Sequence, residues 1–305
     1  MLAQLICAAM QIVLDHSPHS KAQAPRPVAA ANRLDVRFWG VRGGIACPDP
    51  QTAKYGGNTA CVEIRCDERL IIFDGGTGLR QLGETLMRSG SAIDADIFYS
   101  HFHVDHICGL PFFTPCYVPA NQLRLWAGNH LAGQTTKSSL GTMMAEPLFP
   151  IGLDEFKAKI QFCDFRPGET LKPFPKATLK TAPLHHPGGC TGYRLEFGGK
   201  AIAYVTDTEH TPGELDRNVL DLADGAEILI YDANYTDEEF PNHIGWGHST
   251  WQEGVRLADA AGVERLVLFH HDPKHHDEML DRIEREAEAR RPGTIVGREG
   301  LEIHI

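Results

Sequence analysis

The sequence predicts an α/β protein built from layered β-sheets with helices on their outer faces. Three observations carry this expectation. Short runs rich in Ile, Val, Tyr and Phe follow one another through the first half of the chain. Segments with apolar residues at helical spacing intervene between such runs later on. No similarity recurs at a fixed period of the kind that marks a solenoid, although the two halves could be related as a strand-rich duplication. Such a mixture favours stacked sheets over a simply alternating βαβ chain. The 305 residues can bury a substantial core, and the 42% hydrophobic and 23% charged content is that of an ordinary globular protein.

Taken in order, residues 1–33 read as an N-terminal leader and linker, and residues 34–305 as one domain. Leu2 to Leu14 is apolar, and Ala29-Ala30-Ala31 imitates a signal-peptidase site. No Lys or Arg precedes the apolar run, however, and its gap to the alanines is long for a signal peptide. The leader is expected to be partly disordered or to dock as a short helix, on the body or on the second subunit of a homodimer. Pro18, Pro25 and Pro27 among small and polar residues mark the linker. Strands are predicted at Val36–Trp39, Cys61–Arg65, Leu70–Phe73, Asp96–Ser100, Leu123–Trp126, Leu179–Pro183, Gly192–Phe197, Ala201–Thr206, Glu227–Tyr231 and Arg265–Phe269. Helices are predicted at Leu79–Ser89, 132–145, Trp251–Ala261 and Lys274–Ala289, with Ser249 or Thr250 capping the third.

Charge and cysteine content narrow the partners. A net charge of -11, with the basic residues scattered, leaves no basic face for a long polyanion, so no long nucleic acid is expected. A small anion remains open, because bound cations outweigh an acidic background locally. The eight cysteines form no CxxC pair and no disulfide framework, which suits reduced thiols in a cytoplasmic protein. No run approaches the roughly 18 apolar residues of a membrane span, so no membrane is expected.

Sixteen histidines are many, and four good metal ligands fall within His101-Phe102-His103-Val104-Asp105-His106, just after the predicted strand Ile97–Ser100. Alternate residues of an extended segment point the same way, so His101 and His103 can converge on one ion. A turn at Val104 would send Asp105 and His106 toward a second. Packing does not explain such clustering.

The HxHxDH pattern at residues 101–106 resembles the signature of the metallo-β-lactamase superfamily. Other segments follow in the family's order: Ile71-Ile72-Phe73-Asp74-Gly75-Gly76, His185-His186-Pro187-Gly188-Gly189, Tyr204-Val205-Thr206-Asp207-Thr208 and Leu268-Phe269-His270-His271-Asp272. The resemblance spans about residues 34–305. It implies an αββα four-layer sandwich of two mixed β-sheets with outer helices, and a hydrolase domain at 34–305. It further implies one metal on His101, His103 and His186, a second on Asp105, His106 and His270, and Asp207 bridging both. Imidazole and carboxylate ligands suit Zn²⁺, and also Mn²⁺ or Fe²⁺. His185 and His186 are adjacent, as are His270 and His271, so one of each pair should ligate and the other face away.

Gly245-Trp246-Gly247-His248-Ser249-Thr250 is similar to the phosphodiesterase branch, which includes tRNA 3′-end ribonucleases and cyclic-nucleotide phosphodiesterases. By that resemblance His248 is the acid that protonates the leaving oxygen, Asp232 orients it, and a metal-bridging hydroxide held near Asp105 attacks phosphorus. Gly40-Val41-Arg42-Gly43-Gly44 and Tyr55-Gly56-Gly57-Asn58-Thr59 look like that branch's N-terminal loops, which makes Arg42, Asn58 and Thr59 candidates for substrate contact, with a surface salt bridge as the other reading of Arg42. Only 20 residues separate His186 from Asp207, too few for the basic arm typical of the tRNA-processing enzymes. A small phosphodiester, a cyclic nucleotide above all, is the expected substrate. The 79 residues between His106 and His186 include Trp126, Met143, Met144 and Phe149, which could wall or lid the pocket. The same ligand set would also serve a hydrolase of a carbonyl ester, lactone or thioester, a di-iron redox enzyme, or a non-catalytic metal-binding module.

Overall fold

The computed structural model describes residues 32–305, so the predicted leader lies outside the described residues except for its last two positions. Fourteen strands form two sheets of seven. The first contains β1 (Leu34–Gly40), β2 (Cys61–Cys66), β3 (Arg69–Phe73), β4 (Asp94–Tyr99), β5 (Gln122–Ala127), β6 (Lys159–Asp164) and β14 (Glu302–His304), in the order β14-β1-β2-β3-β4-β5-β6. The second contains β7 (Thr170–Leu171), β8 (Ala177–Leu184), β9 (Cys190–Phe197), β10 (Lys200–Val205), β11 (Ile228–Asp232), β12 (Arg265–Phe269) and β13 (Ile295–Val296), in the order β13-β12-β11-β10-β9-β8-β7.

Both sheets share one pairing plan. Three antiparallel pairs are followed by three parallel ones: β3-β4-β5-β6 in the first sheet and β10-β11-β12-β13 in the second. Each parallel step needs a crossover, and a helix supplies it. These are α1 (Gly78–Met87), the single turn α2 (Val104–Ile107) and α3 (Thr136–Met143) in the first half, and α4 (Arg217–Ala223), α5 (Trp251–Ala260) and α6 (Asp277–Arg290) in the second. The matching plan is what a strand-rich duplication would leave behind.

Alternation along the strands assigns each side chain to a layer. On β3, Ile71 and Phe73 face the middle of the sandwich with Phe38, Ile64, Phe98, Tyr193, Ile202, Tyr204, Ile230 and Phe269. Leu70 and Ile72 face outward with Ile97 and Leu125, beneath Leu79, Leu82 and Leu86 of α1. Leu229 and Leu266 do the same in the second sheet, beneath Val255 and Leu257 of α5 and Leu280 and Ile283 of α6. The result is the αββα sandwich the resemblance implied. Phe73 sits at its centre, with its ring 5.0 Å from Tyr204 and nearly parallel to it, and 5.2 Å from Tyr193. Full burial of each such side chain is worth about 1.5–3 kcal/mol.

Sequence reading missed β6, β7, β13, β14 and α4. The first two and the last two strands are edges or their neighbours, short and only half covered. Helix α4 is set by its cap, the Asp216 carboxylate accepting from Asn218 N and Val219 N, more than by any long apolar stripe. Of the two predicted caps for α5, Thr250 is the one used, with Oγ1 accepting from Glu253 N. No helix among the described residues is long and apolar enough to cross a membrane, and the seven described cysteines are free thiols.

Candidate metal centre

Ligands of open α/β sheets gather where parallel strands end at their carboxyl edge, and the predicted site residues of the metal cluster lie at such an end or in the loop after it, except His186, which follows the antiparallel strand β8. Asp74 follows β3, His101 to His106 follow β4, Asp207 follows β10, Asp232 closes β11 and His270 follows β12. Three of these, Asp74, Asp207 and His270, have positive φ values of 58°, 50° and 61°. Non-glycine residues rarely adopt that conformation, and where they do the surrounding structure must hold them there.

The donor atoms form two adjoining groups. One consists of His101, His103, His186 and Asp207, the other of Asp105, His106 and His270, and within each group the donor atoms lie within 4.8 Å of one another; Asp207, His248 and His270 make a third group that meets the same limit and overlaps both. Asp207 joins them: its Oδ1 is 3.7 Å from His101 Nε2 and from His186 Nε2, and its Oδ2 is 3.2 Å from His106 Nε2 and 3.3 Å from His270 Nε2. The adjacent pairs resolve as strand geometry requires. His186 points into the cluster while His185 is exposed, and His270 points in while the buried His271 engages the Gly297 carbonyl, 2.8 Å away.

Whether a cation fits can be read from the ring tautomers. His106 Nδ1 engages the Asp74 carboxylate (2.9 Å), which turns its Nε2 into the cluster. There Nε2 lies 3.1 Å from His270 Nε2. His186 Nδ1 donates to the Gly247 carbonyl (2.7 Å), and its Nε2 faces His103 Nδ1 at 3.0 Å. Ser100 Oγ donates to Asp74 (2.8 Å) and so accepts from His101 Nδ1 (3.0 Å), which leaves His101 Nε2 buried without a hydrogen-bond partner. A buried orphan acceptor is costly in itself, and with the imidazole nitrogens and carboxylates gathered around it the donor set fits a site built for divalent cations. Hydrogen bonds on the far side of each ring are the usual support of metal-binding histidines.

Asp74 is the hub of that support. Besides His106 it accepts from Ser100 N (2.7 Å), Ser100 Oγ and the Tyr204 hydroxyl (2.8 Å), which ties the cluster to the aromatic core. Two glycines permit close approach. A Cβ on Gly43 would meet the His270 ring at 2.6 Å, and one on Gly247, whose φ is 84°, would meet His186 Nδ1 at 2.3 Å. The Gly44 N–H donates to Asp105 Oδ2 (2.7 Å).

Electrostatics follow the geometry. Burial pushes the Asp207 carboxylate upward, but His270, His106 and His101 outweigh it and hold the group well below the usual carboxylate range. Asp105 is likewise held down by His106 and His270 against its burial. Burial, helped by His106, keeps the His101 imidazole neutral, as a ligand must be.

His248 stands at the edge of the cluster, its ring 5.1 Å from that of His270 and 5.3 Å from that of His186. Its Nδ1 lies 2.9 Å from Asp232 Oδ2. Burial alone would lower its pKa, but Asp232 reverses this and pushes it up to about 9. Asp232 is itself fixed by Asn234 N and Thr208 N.

The candidates for substrate contact are placed differently. Arg42 is fully buried, and its guanidinium donates to the carbonyls of Gly56 (2.8 Å), His275 (2.7 Å) and Asp272 (3.3 Å). It clamps loops together through these carbonyls and is not in a surface salt bridge. Asn58 spends its backbone N and its Nδ2 on Glu299. Thr59 exchanges two 2.9 Å hydrogen bonds with Thr77. All three are loop fasteners. Trp126 does not wall the pocket either, since it stacks on Phe98 and donates to Asp96. Phe149 packs on Phe112, and Met144 is buried.

Residues that sequence reasoning missed include Ser100, Asn234, Tyr204 and the Gly247 carbonyl, all supports of ligands. Asn234 Nδ2 donates to the His270 carbonyl (2.7 Å). Glu209 was missed as well: its carboxylate accepts from Gly245 N and Gly247 N and so sets the loop that carries His248. Proximity to a strand end was the signal available for Ser100 and Asn234.

A family model described as a β-lactamase superfamily domain matches residues 69–271. Ribonuclease Z of Gemmatimonas aurantiaca is 24% identical, over 89% of this chain and 96% of its own length. Among solved structures, the metallo-β-lactamase fold protein YhfI from Bacillus subtilis superposes with a TM-score of 0.68 at 18% identity, covering 90% of this chain and all of its own. A diphosphatase from the PhnP family superposes with a TM-score of 0.66 at 20% identity, over 90% and 97% of the two chains.

Proposed function

The chain belongs to the β-lactamase superfamily, and from that premise we propose that it is a metal-dependent hydrolase of small phosphodiesters, cyclic nucleotides in particular. The observation that carries this reading is the His248–Asp232 pair at the rim of the candidate metal centre. An alkoxide leaving a phosphodiester needs a proton, and a proton donor held beside the reacting phosphorus answers that need. Asp232 engages Nδ1 and favours the protonated ring, so Nε2, on the other edge of the ring, is the atom with a proton to give.

In this reading His101, His103 and His186 hold one cation, Asp105, His106 and His270 a second, and Asp207 reaches both. Zn²⁺ suits these donors best, and Mn²⁺ or Fe²⁺ would also be accepted. Bound there, two divalent cations would lower the pKa of a shared water toward neutrality and neutralise charge on the phosphoryl oxygens. The chain's own part is to fix geometry. Asp74 and the Gly247 carbonyl set two ring tautomers, Gly44 N fixes Asp105, and Glu209 holds the loop bearing His248.

An RNA diester is the second reading, favoured by the relatives named ribonuclease Z. Against it stand the net charge of -11 and the short path from His186 to Asp207, which strands β9 and β10 and their turns fill completely. Long polyanions bind chiefly through Lys and Arg contacts to phosphates.

The test is turnover by the purified protein, with Zn²⁺ and Mn²⁺ compared. The panel is 2′,3′- and 3′,5′-cyclic nucleotides, bis(p-nitrophenyl) phosphate, a precursor tRNA and a set of thioesters and lactones. Metal-dependent cleavage of the cyclic and aryl diesters is expected. Cleavage confined to the thioesters and lactones would overturn the proposal, and cleavage confined to the tRNA would replace its substrate.

A further inference from the structure

A cavity of about 270 Å³ opens directly onto His101 and His103. One wall is the segment after β5 together with α3. The other is the turn Pro187-Gly188-Gly189 that leads from His186 into β9. Both walls are anchored. Thr136, at the start of α3, donates through N and Oγ1 to Asp164 at the end of β6 (both 2.7 Å), and a capping box at Thr135 and Ser138 closes the helix start. Asn129 donates to the Ser100 carbonyl (2.8 Å) and to Thr191 Oγ1 (2.6 Å). That ties this wall to the strand end that bears the metal motif.

The chemistry of the lining is uncharged. Apart from the two imidazoles, no titratable side chain faces the cavity. Leu131, two-thirds exposed, supplies an apolar surface. Gln134 and Thr142 supply exposed polar groups, and Ser139 Oγ is a buried hydroxyl with no hydrogen-bond partner. Asn129, its amide nitrogen spent, has Oδ1 left as an acceptor. No Lys or Arg lines the cavity to pair with an anion. An uncharged group with an apolar face and hydrogen-bonding edges is matched.

Resting on the phosphodiesterase reading, we propose that this cavity is a specificity subsite for the retained ester arm, and that the arm is an uncharged nucleoside. The leaving oxygen then faces His248, the phosphoryl group lies over the metal cluster, and the base and sugar extend between Leu131 and the Pro187–Gly189 turn. A diester whose retained arm carries a further phosphate is excluded by the lack of a cation at the cavity wall.

The experiment compares kcat/KM for thymidine 5′-(p-nitrophenyl phosphate), its 3′-phosphorylated form and methyl p-nitrophenyl phosphate. p-Nitrophenolate leaves in all three, so the chemical step is matched. The wild type is expected to prefer the nucleoside diester over the methyl diester by at least about tenfold, and to discriminate against the 3′-phosphorylated form. Thr142→Trp, which fills the cavity from an exposed position, should abolish the preference while leaving the methyl diester within twofold. Leu131→Arg should relieve discrimination against the 3′-phosphate. Equal wild-type rates on the nucleoside and methyl diesters, or equal losses on both in Thr142→Trp, would overturn the subsite. If no diester is cleaved, the phosphodiesterase reading has failed, and the subsite is judged by binding alone. Saturation-transfer NMR with thymidine should then show contact in the wild type and none in Thr142→Trp, and absence of contact in the wild type would overturn it.

Discussion

At the scale of single residues, the site contains three imidazoles, His101, His106 and His186, whose far nitrogens are already committed. Asp74 illustrates the consequence. It touches no candidate metal position, yet it accepts four hydrogen bonds, one of which fixes the His106 tautomer. Removing such a support costs typically 10- to 100-fold in metal affinity. Asp74→Asn, which can present an N–H toward His106 and Tyr204, should therefore weaken Zn²⁺ binding in a titration by about that factor; unchanged affinity would contradict the role. His248→Gln should keep its metal content and lose ~10²–10⁴-fold on a cyclic nucleotide. It should lose much less on bis(p-nitrophenyl) phosphate, whose leaving group needs no proton; equal losses on the two substrates would count against an acid role.

The ligands were legible in sequence because the chemistry is local. His101 to His106 packs four donors into one strand end, and Asp207 and His270 each follow a recognisable β-branched or aromatic run, whereas His186 is marked only by its place in the His185–Gly189 motif. Arg42 misled for the opposite reason. A glycine-flanked arginine looks like an anion contact in one dimension, and only the fold shows that its guanidinium is surrounded by the carbonyls of Gly56, Asp272 and His275. Sequence carries no trace of a contact between positions 42 and 275.

At the scale of elements, parallel strands carry the site and the helices after them hold the strands in place. Thr250 caps α5 and also donates to Asp237, which Arg256 of the same helix grips with two nitrogens. Thr250→Ala should destabilise by about 1 kcal/mol, measured by urea unfolding of the metal-loaded protein. Asp237 adds a pH dependence. Burial would raise its carboxylate, but Arg256 and Thr250 hold it below its ordinary value. A depressed carboxylate stabilises above its unfolded pKa of about 3.9 and loses that contribution as pH falls through its lower folded value. The stability gap between wild type and Asp237→Asn should thus be constant near neutrality and shrink below about pH 4; a gap that widens on acidification would contradict the pairing. Elements escaped sequence reading where burial is one-sided. β6 alternates Ile160 and Phe162 with polar residues, and β14 buries Ile303 alone. The helix that walls the cavity was legible at 132–145, but the lining residues Gln134 and Thr142, and the neighbouring Leu131, were not, because exposed residues leave no periodic mark.

At the scale of the whole molecule, two sheets with one pairing plan bring their parallel-strand ends to a common edge, and the metal cluster sits where those edges meet. Phe73 couples the layers by stacking between Tyr193 and Tyr204, one residue before Asp74. Phe73→Ala should cost about 3–5 kcal/mol and lower metal occupancy as well, whereas a core without coupling to the site would lose stability alone. The overall charge of -11 bears on substrate size. Binding of tRNA should be weak at physiological salt, and a steep fall of affinity with rising salt, the signature of many phosphate contacts, would favour the RNA reading.

The account rests on seven side chains converging on a pair of cations. Anomalous diffraction from crystals of the Zn²⁺-loaded protein, recorded across the zinc edge, tests this most directly. Two peaks about 3.5–4 Å apart are predicted, one among His101, His103 and His186, the other among Asp105, His106 and His270, with Asp207 reaching both. A single peak, or none within this cluster, would contradict it.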